Sequence, residues 1–137
     1  MSGASWALQQ AVYAALTGDA ALTALIGGRV FDAVPPSPVF PYLVLAEARE
    51  TAAGSGLAEH SLTLHVWSRG SGARESKQIA AAASAVLDGA ALPLDRYLLV
   101  NLQFLSAEYT RQSDGQTWRG LLRFRAVTEA PTQGESS

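Results

Sequence analysis

The sequence predicts an α+β fold, a mainly antiparallel sheet with two N-terminal helices and one long central helix packed on one face. Three observations carry this. In residues 59–69, Leu62, Leu64 and Val66 alternate with Thr63, His65 and Trp67, the period of a strand with one dry face. After Gly70-Ser71-Gly72, residues 74–88 place Ile79, Ala83, Val86 and Leu87 at three- and four-residue spacing, the stripe of a helix lying on something flat. Residues 96–129 then read as two long alternating strands around a polar turn.

Taken in order, Ser5 is expected to cap a first helix with Leu8, Val12, Ala15 and Leu16 as its apolar stripe, and Gly18 to end it. Asp19 caps a second, short helix carrying Leu22, Leu25 and Ile26, which Gly27-Gly28 stops. Residues 29–32 form a short strand, and Pro35-Pro36-Ser37-Pro38 forces an extended link that cannot pair regularly. The next strand starts at Pro41, a tolerated first-strand position, and runs through Tyr42 to Arg49. Both of its faces begin apolar, so its first half is expected to be covered on both sides. Residues 51–56 are small and read as a mobile loop.

The final hairpin is constrained by parity. A two-residue loop at Asp114-Gly115 would set Phe104 opposite Arg125 and bury guanidinium groups beside phenylalanine. A three-residue loop with Gly115 left-handed, or a bulge with the same effect, sets Phe104 opposite Phe124 and Leu102 opposite Ala126. That register is preferred. It places Leu98, Val100, Leu102 and Phe104 on one face, and groups Tyr109 with Arg119 and Gln103 with Arg125 on the other.

At 137 residues the chain is read as one domain over residues 1–129, large enough to bury a core without metal or disulfides, followed by a polar tail, 130–137, expected to be disordered. The absence of cysteine excludes a disulfide framework, thiolate zinc and a cysteine nucleophile. A formal charge of -2 argues against general nucleic-acid binding, which needs a basic surplus. No segment approaches the roughly 20 apolar residues that span a bilayer, and no signal peptide is expected. Lys77 is the only lysine, and the abundance of alanine and arginine reads as the imprint of a GC-rich genome.

No reactive constellation emerges. His60 and His65 differ in parity, point to opposite faces and cannot chelate one metal. Glu47, Glu50, Glu59 and Glu108 offer carboxylates, but no second feature selects a pair for acid-base work. The glycine clusters lack the lysine of a phosphate loop and the spacing of a dinucleotide fold, and the serines lie in no nucleophile elbow. Neither an enzyme nor a cofactor is expected. The polar face of the sheet is more informative: Trp67 and Arg69 share it with Arg119, Arg123 and Arg125, and arginine and tryptophan are enriched at interface hot spots. An ordinary wet face whose long side chains shelter one another stands beside that reading.

The first helix, Leu22-Thr-Ala-Leu25-Ile-Gly27, Gly28-Arg-Val-Phe-Asp32, the proline-rich link and Pro41-Tyr-Leu-Val-Leu45 resemble the tail-completion family of long-tailed phages, also called head-to-tail joining or tail-terminator proteins. The helix around Lys77 to Leu87 and the hairpin carrying Leu121 to Val127 are similar too, so the resemblance covers nearly all but the tail. Where many relatives have glycine after the Pro41 strand opening, Ala46 stands here.

The resemblance implies a non-enzymatic virion protein: a homo-oligomeric ring, a hexamer, that caps the tail tube and meets the head-tail connector. DNA would pass through it without specific binding, no membrane is involved, and the ring would be assembled in the bacterial cytoplasm. The composition suits a prophage or gene transfer agent. A ring needs two different patches per subunit. The expected interface residues are Trp67, Arg69, Arg119, Arg123 and Arg125 on one patch and Pro41 and Tyr42 on another. Asp114, in the 113–116 turn, is expected to become ordered on contact with the tail-tube or connector protein. The competing class is a small dimeric α+β ligand-binding or adaptor domain, in which the polar face would line a pocket.

Overall fold

Period-two alternation in four long segments, together with two residues that follow the second helix, becomes one five-stranded sheet. The computed structural model describes residues 3–70 and 72–131. Its elements are α1 (Ala4–Thr17), α2 (Ala20–Ile26), β1 (Val30–Phe31), β2 (Tyr42–Gly54), β3 (Leu57–Arg69), α3 (Arg74–Leu87), β4 (Leu98–Arg111) and β5 (Thr117–Glu129). The strand order is β1-β2-β3-β5-β4, with β1 parallel to β2 and every other pair antiparallel. β1 and β4 are therefore the two edges.

The even-numbered residues of β3 and β5 form the dry face. Leu62, Leu64, Val66, Leu122, Phe124 and Ala126 join Leu8, Val12 and Leu16 of α1, Leu22 and Ile26 of α2 and Ile79, Ala83 and Leu87 of α3 in a single core. Each large aliphatic or aromatic side chain there contributes roughly 1.5–3 kcal/mol over its exposed state. Asp19 caps α2 by accepting from the Leu22 amide at 2.9 Å, and Gly27 closes it in the left-handed conformation at φ 61°. Ser5 is not the cap of α1. The helix starts two residues earlier than that cap would set it, at Ala4 with Gly3 as N-cap and no side-chain cap, and Ala4 is buried.

Three other expectations need correction. Residues 51–54 are strand, paired with 57–59 of β3, so β2 and β3 form a long hairpin arm closed by Ser55-Gly56. Backbone pairing, which needs no large side chain, carries the strand through the small residues. Of the tail expected to be disordered over 130–137, Ala130 continues this contact by donating to the Gly56 carbonyl at 2.8 Å, and residues 132–137 lie outside the described residues, as does Ser71 of the expected glycine hinge.

The final hairpin keeps the expected central register, Phe104 opposite Phe124, Leu102 opposite Ala126 and Gln103 opposite Arg125, by the second of the two expected means, a bulge; what it corrects is the facing of residues beyond that bulge. The ladder shifts between Phe104 and Ser106 and again between Leu99 and Asn101. Each extra residue reverses the parity beyond it. Tyr109 consequently lies opposite Gly120 and packs on the core, leaving Thr110 opposite Arg119. Leu99 turns inward while Leu98 and Val100 are exposed.

Candidate functional site

The outer face of the sheet, away from the core, is organised in ranks across the strands. One rank runs Tyr42, Trp67, Arg119, Thr110, and the next runs Val44, His65, Leu121, Glu108. A third joins Thr63, Arg123 and Ser106, and a fourth Arg49, Ser61, Arg125 and Gln103. Alternation in β3 and β5 alone puts Trp67, Arg69, Arg119, Arg123 and Arg125 on this side.

The arginines do not share one environment. Arg125 Nε donates to Glu59 Oε2 at 2.7 Å, and Arg123 pairs with Glu108 at 3.4 Å. Both pairs are at least one-third exposed, so each adds at most about 1 kcal/mol to stability and leaves its arginine locally neutralised. These are the sheltered pairs of an ordinary polar face. Arg119 differs: its Nε is buried and has no hydrogen-bond partner among the described residues, and no carboxylate pairs with its guanidinium there. Beside it, His65 Nε2 is also buried without a hydrogen bond, 3.9 Å from Glu47, and the imidazole meets Trp67 edge-on at 6.2 Å. Burial pushes the His65 pKa below its ordinary value; Glu47 opposes that, and Arg119 reinforces it. The imidazole is therefore mainly neutral at pH 7, and the positive charge at this point of the face belongs to Arg119 of the neighbouring rank.

At its lower end the face becomes aromatic. Tyr42 is buried between Phe31 and Phe40, at ring separations of 5.7 and 5.1 Å, and burial raises its hydroxyl pKa. Pro41 lies at the margin, its carbonyl accepting from Arg29 Nε at 2.8 Å, which ties the proline-rich link to the end of α2. The Arg69 guanidinium covers Phe40 at 4.0 Å and its Nε donates to Thr117 Oγ1 at 3.2 Å. Thr117 in turn donates to Asp114 Oδ2 at 2.6 Å. Asp114 also accepts from the Gln116 and Thr117 amides, and these hydrogen bonds hold its pKa down at about 2. Asp114 is thus joined to Arg69 and Phe40 through one hydroxyl, although its main partners are in its own turn.

The two patches expected to be separate are one face: Tyr42 pairs with Trp67 across β2 and β3, which places Tyr42 in the same rank as Arg119, while Pro41 and Asp114 lie at its margins. Sequence reasoning missed Phe31, Phe40 and Thr117 as members of this face, placed His65 on it without counting it among the interface residues, and left Glu59 and Glu108 unassigned. Period-two parity in β3 was signal enough for His65. The aromatic additions depend on how the proline link folds back, and the carboxylates on the registers of β3 and β4 with β5. His60 points the other way, fully buried and 2.8 Å from Thr128 Oγ1, and no metal-binding group of His, Asp and Glu occurs among the described residues. None of the described helices is long and apolar enough to cross a membrane. The face presents the Arg119 guanidinium without a carboxylate partner among the described residues, with an aromatic floor beside it.

Residues 10–129 match the family model described as tail completion protein gp17. The chain is also similar to a solved chain from the virion of a native gene transfer agent particle, at 38% identity and a TM-score of 0.84, over 95% of this chain and 100% of that one. No curated protein gives a significant match.

Proposed function

This chain belongs to the tail completion protein gp17 family, and from that membership we propose that it is a structural, non-enzymatic virion subunit that terminates the tail tube and joins it to the head connector. It acts as a homo-oligomeric ring, a hexamer, wide enough for DNA to pass without sequence-specific contact, and it takes its place at the head-tail interface after assembly in the bacterial cytoplasm. The outer sheet face is where it meets the tail-tube or connector protein.

The observation that carries the assignment of the face is Arg119, whose buried Nε lacks a partner among the described residues while Arg123 and Arg125 are each paired. A carboxylate supplied by the partner would pair with the Arg119 guanidinium through its Nη groups, a charge-assisted contact that no carboxylate makes among the described residues. Trp67 and the Phe40–Tyr42 pair then supply the rigid apolar anchor typical of a hot spot.

The test is to add the purified chain to tails assembled without it and to count tails that become joined to heads. Arg119→Glu should lower joining by tenfold or more and Trp67→Ala by several-fold, with thermal melting of both variants close to that of the parent. Full joining by both variants would remove this face from the function.

A further inference from the structure

The two edges of the sheet are protected differently. At one, β1 pairs only with Leu43 and Val44, and no other described strand covers the rest of β2 on that side. There Glu47, Arg49 and Glu50 are exposed and a bulge falls between Leu45 and Ala48, the charge and irregularity that keep an open edge from pairing. β4 lacks that charge. From Leu98 to Ala107 it has no charged residue and no proline, and Leu98, Val100 and Leu105 are 60%, 49% and 55% exposed. Asp95 and Arg96 precede this stretch, Glu108 and Arg111 follow it, and Arg123, Arg125 and Glu129 face it from β5, on its inner side. An uncharged, aliphatic edge strand is a template for another strand.

The junction between α3 and β4 closes it. Asp88, immediately after α3, accepts from the Phe104 amide through Oδ1 at 2.9 Å, and the Gly89 amide donates to the Leu102 carbonyl at 2.8 Å. Gln103 lies between them and pairs with Arg125, so the two bonded groups are those that β4 turns away from β5 and would offer to an added strand. The bulges at Val100 and Leu105 bracket residues 101–104, the stretch where the ladder is regular and uncharged, and the junction occupies it. Helix stability does not account for this arrangement. A carboxylate at a helix C-terminus faces the unfavourable end of the dipole, and no basic residue in the last turn of α3 offsets it. The Gly89 amide bonds to β4 rather than to its own helix, from a backbone at φ 73° that glycine adopts without strain.

We infer that Asp88 and Gly89 form an autoinhibitory clasp on the β4 edge. It withholds the Leu102 carbonyl and the Phe104 amide from any further strand, so copies of the chain do not join edge to edge through β4. Leu98, Val100 and Leu105 are left to make side-chain contacts only. The clasp is built from this chain alone and does not rest on the tail reading.

Asp88 is exposed, so Asp88→Ala removes the acceptor without opening the core. Hydrogen exchange at the Phe104 amide should accelerate. Over a concentration series at neutral pH, the fraction pelleted by centrifugation should rise about threefold or more above the parent, with an infrared signature of intermolecular strands. Adding Leu105→Lys, which puts a charge on the same edge, should bring it back to the parent's level. Gly120→Ala, a change in the buried face of β5, controls for lost stability and should pellet less than Asp88→Ala. Three results would each overturn the clasp: no excess of pelleted, strand-paired material from Asp88→Ala, an excess that Leu105→Lys does not reduce, or an equal excess from Gly120→Ala.

Discussion

Gly120 is buried in β5 because the Tyr109 ring lies across it. A Cβ added there would come within 3.3 Å of both Tyr109 Cε1 and Val66 Cβ. Val66 Cβ is fixed by its own strand, so relief has to come from the tyrosine. Gly120→Ala should therefore cost about 1–3 kcal/mol, the range for overpacking, measured by denaturant unfolding; an unchanged midpoint would show that the ring shifts freely. His60 makes a second prediction for a single side chain. Burial lowers its pKa from 6.5, with Glu50 pulling weakly the other way. The unfolded chain then binds the proton more readily than the folded one. Stability from this group is full above about pH 6.5 and is lost as the pH falls toward the depressed folded value. His60→Gln should flatten the loss of melting temperature between pH 7.5 and 5.5, while lowering stability at pH 7.5 because Thr128 loses its partner. An equally steep acid loss in the variant would place the titrating group elsewhere.

The turn between β4 and β5 depends on Asp114, which gathers two amides and one hydroxyl. Asp114→Ala should accelerate hydrogen exchange at Gln116 and Thr117 with little effect on the core. In the parent the same loosening should appear only as the pH falls below 3.8 toward about 2, since the carboxyl is depressed and loses its acceptors on protonation. Exchange at these amides that ignores both changes would contradict this account of the turn. Much of the strand pattern was legible in the sequence. Alternation in β3 and β5 fixed which side is dry, and the pairing of Phe104 with Phe124, 5.7 Å apart and edge-on, followed from refusing to bury arginine beside phenylalanine. What was not legible was the means. A bulge adds one residue without a compositional mark, so Tyr109, Leu98 and Val100 were placed on the wrong sides. Residues 51–54 looked like a loop because their pairing comes from β3, and small side chains carry no period. In the site, the arginine stripe could be read from β5 alone. Which arginines are neutralised could not, since Glu59 and Glu108 reach them across strands whose register only the fold supplies.

Taken whole, the chain presents an outer sheet face with a guanidinium unmatched among the described residues, and two edges that expose apolar side chains. A subunit that meets copies of itself in a ring and a different protein along the axis needs that separation of surfaces. The family match over residues 10–129 and the likeness to a gene transfer agent virion chain support a structural role in a phage tail. The decisive experiment is electron microscopy of tails assembled without this chain, before and after the purified chain is added. A ring at one end of each tail, with heads attached at that end, is the expected result. Chain bound along the sides of the tube, or tails left open and headless with chain in excess, would contradict it.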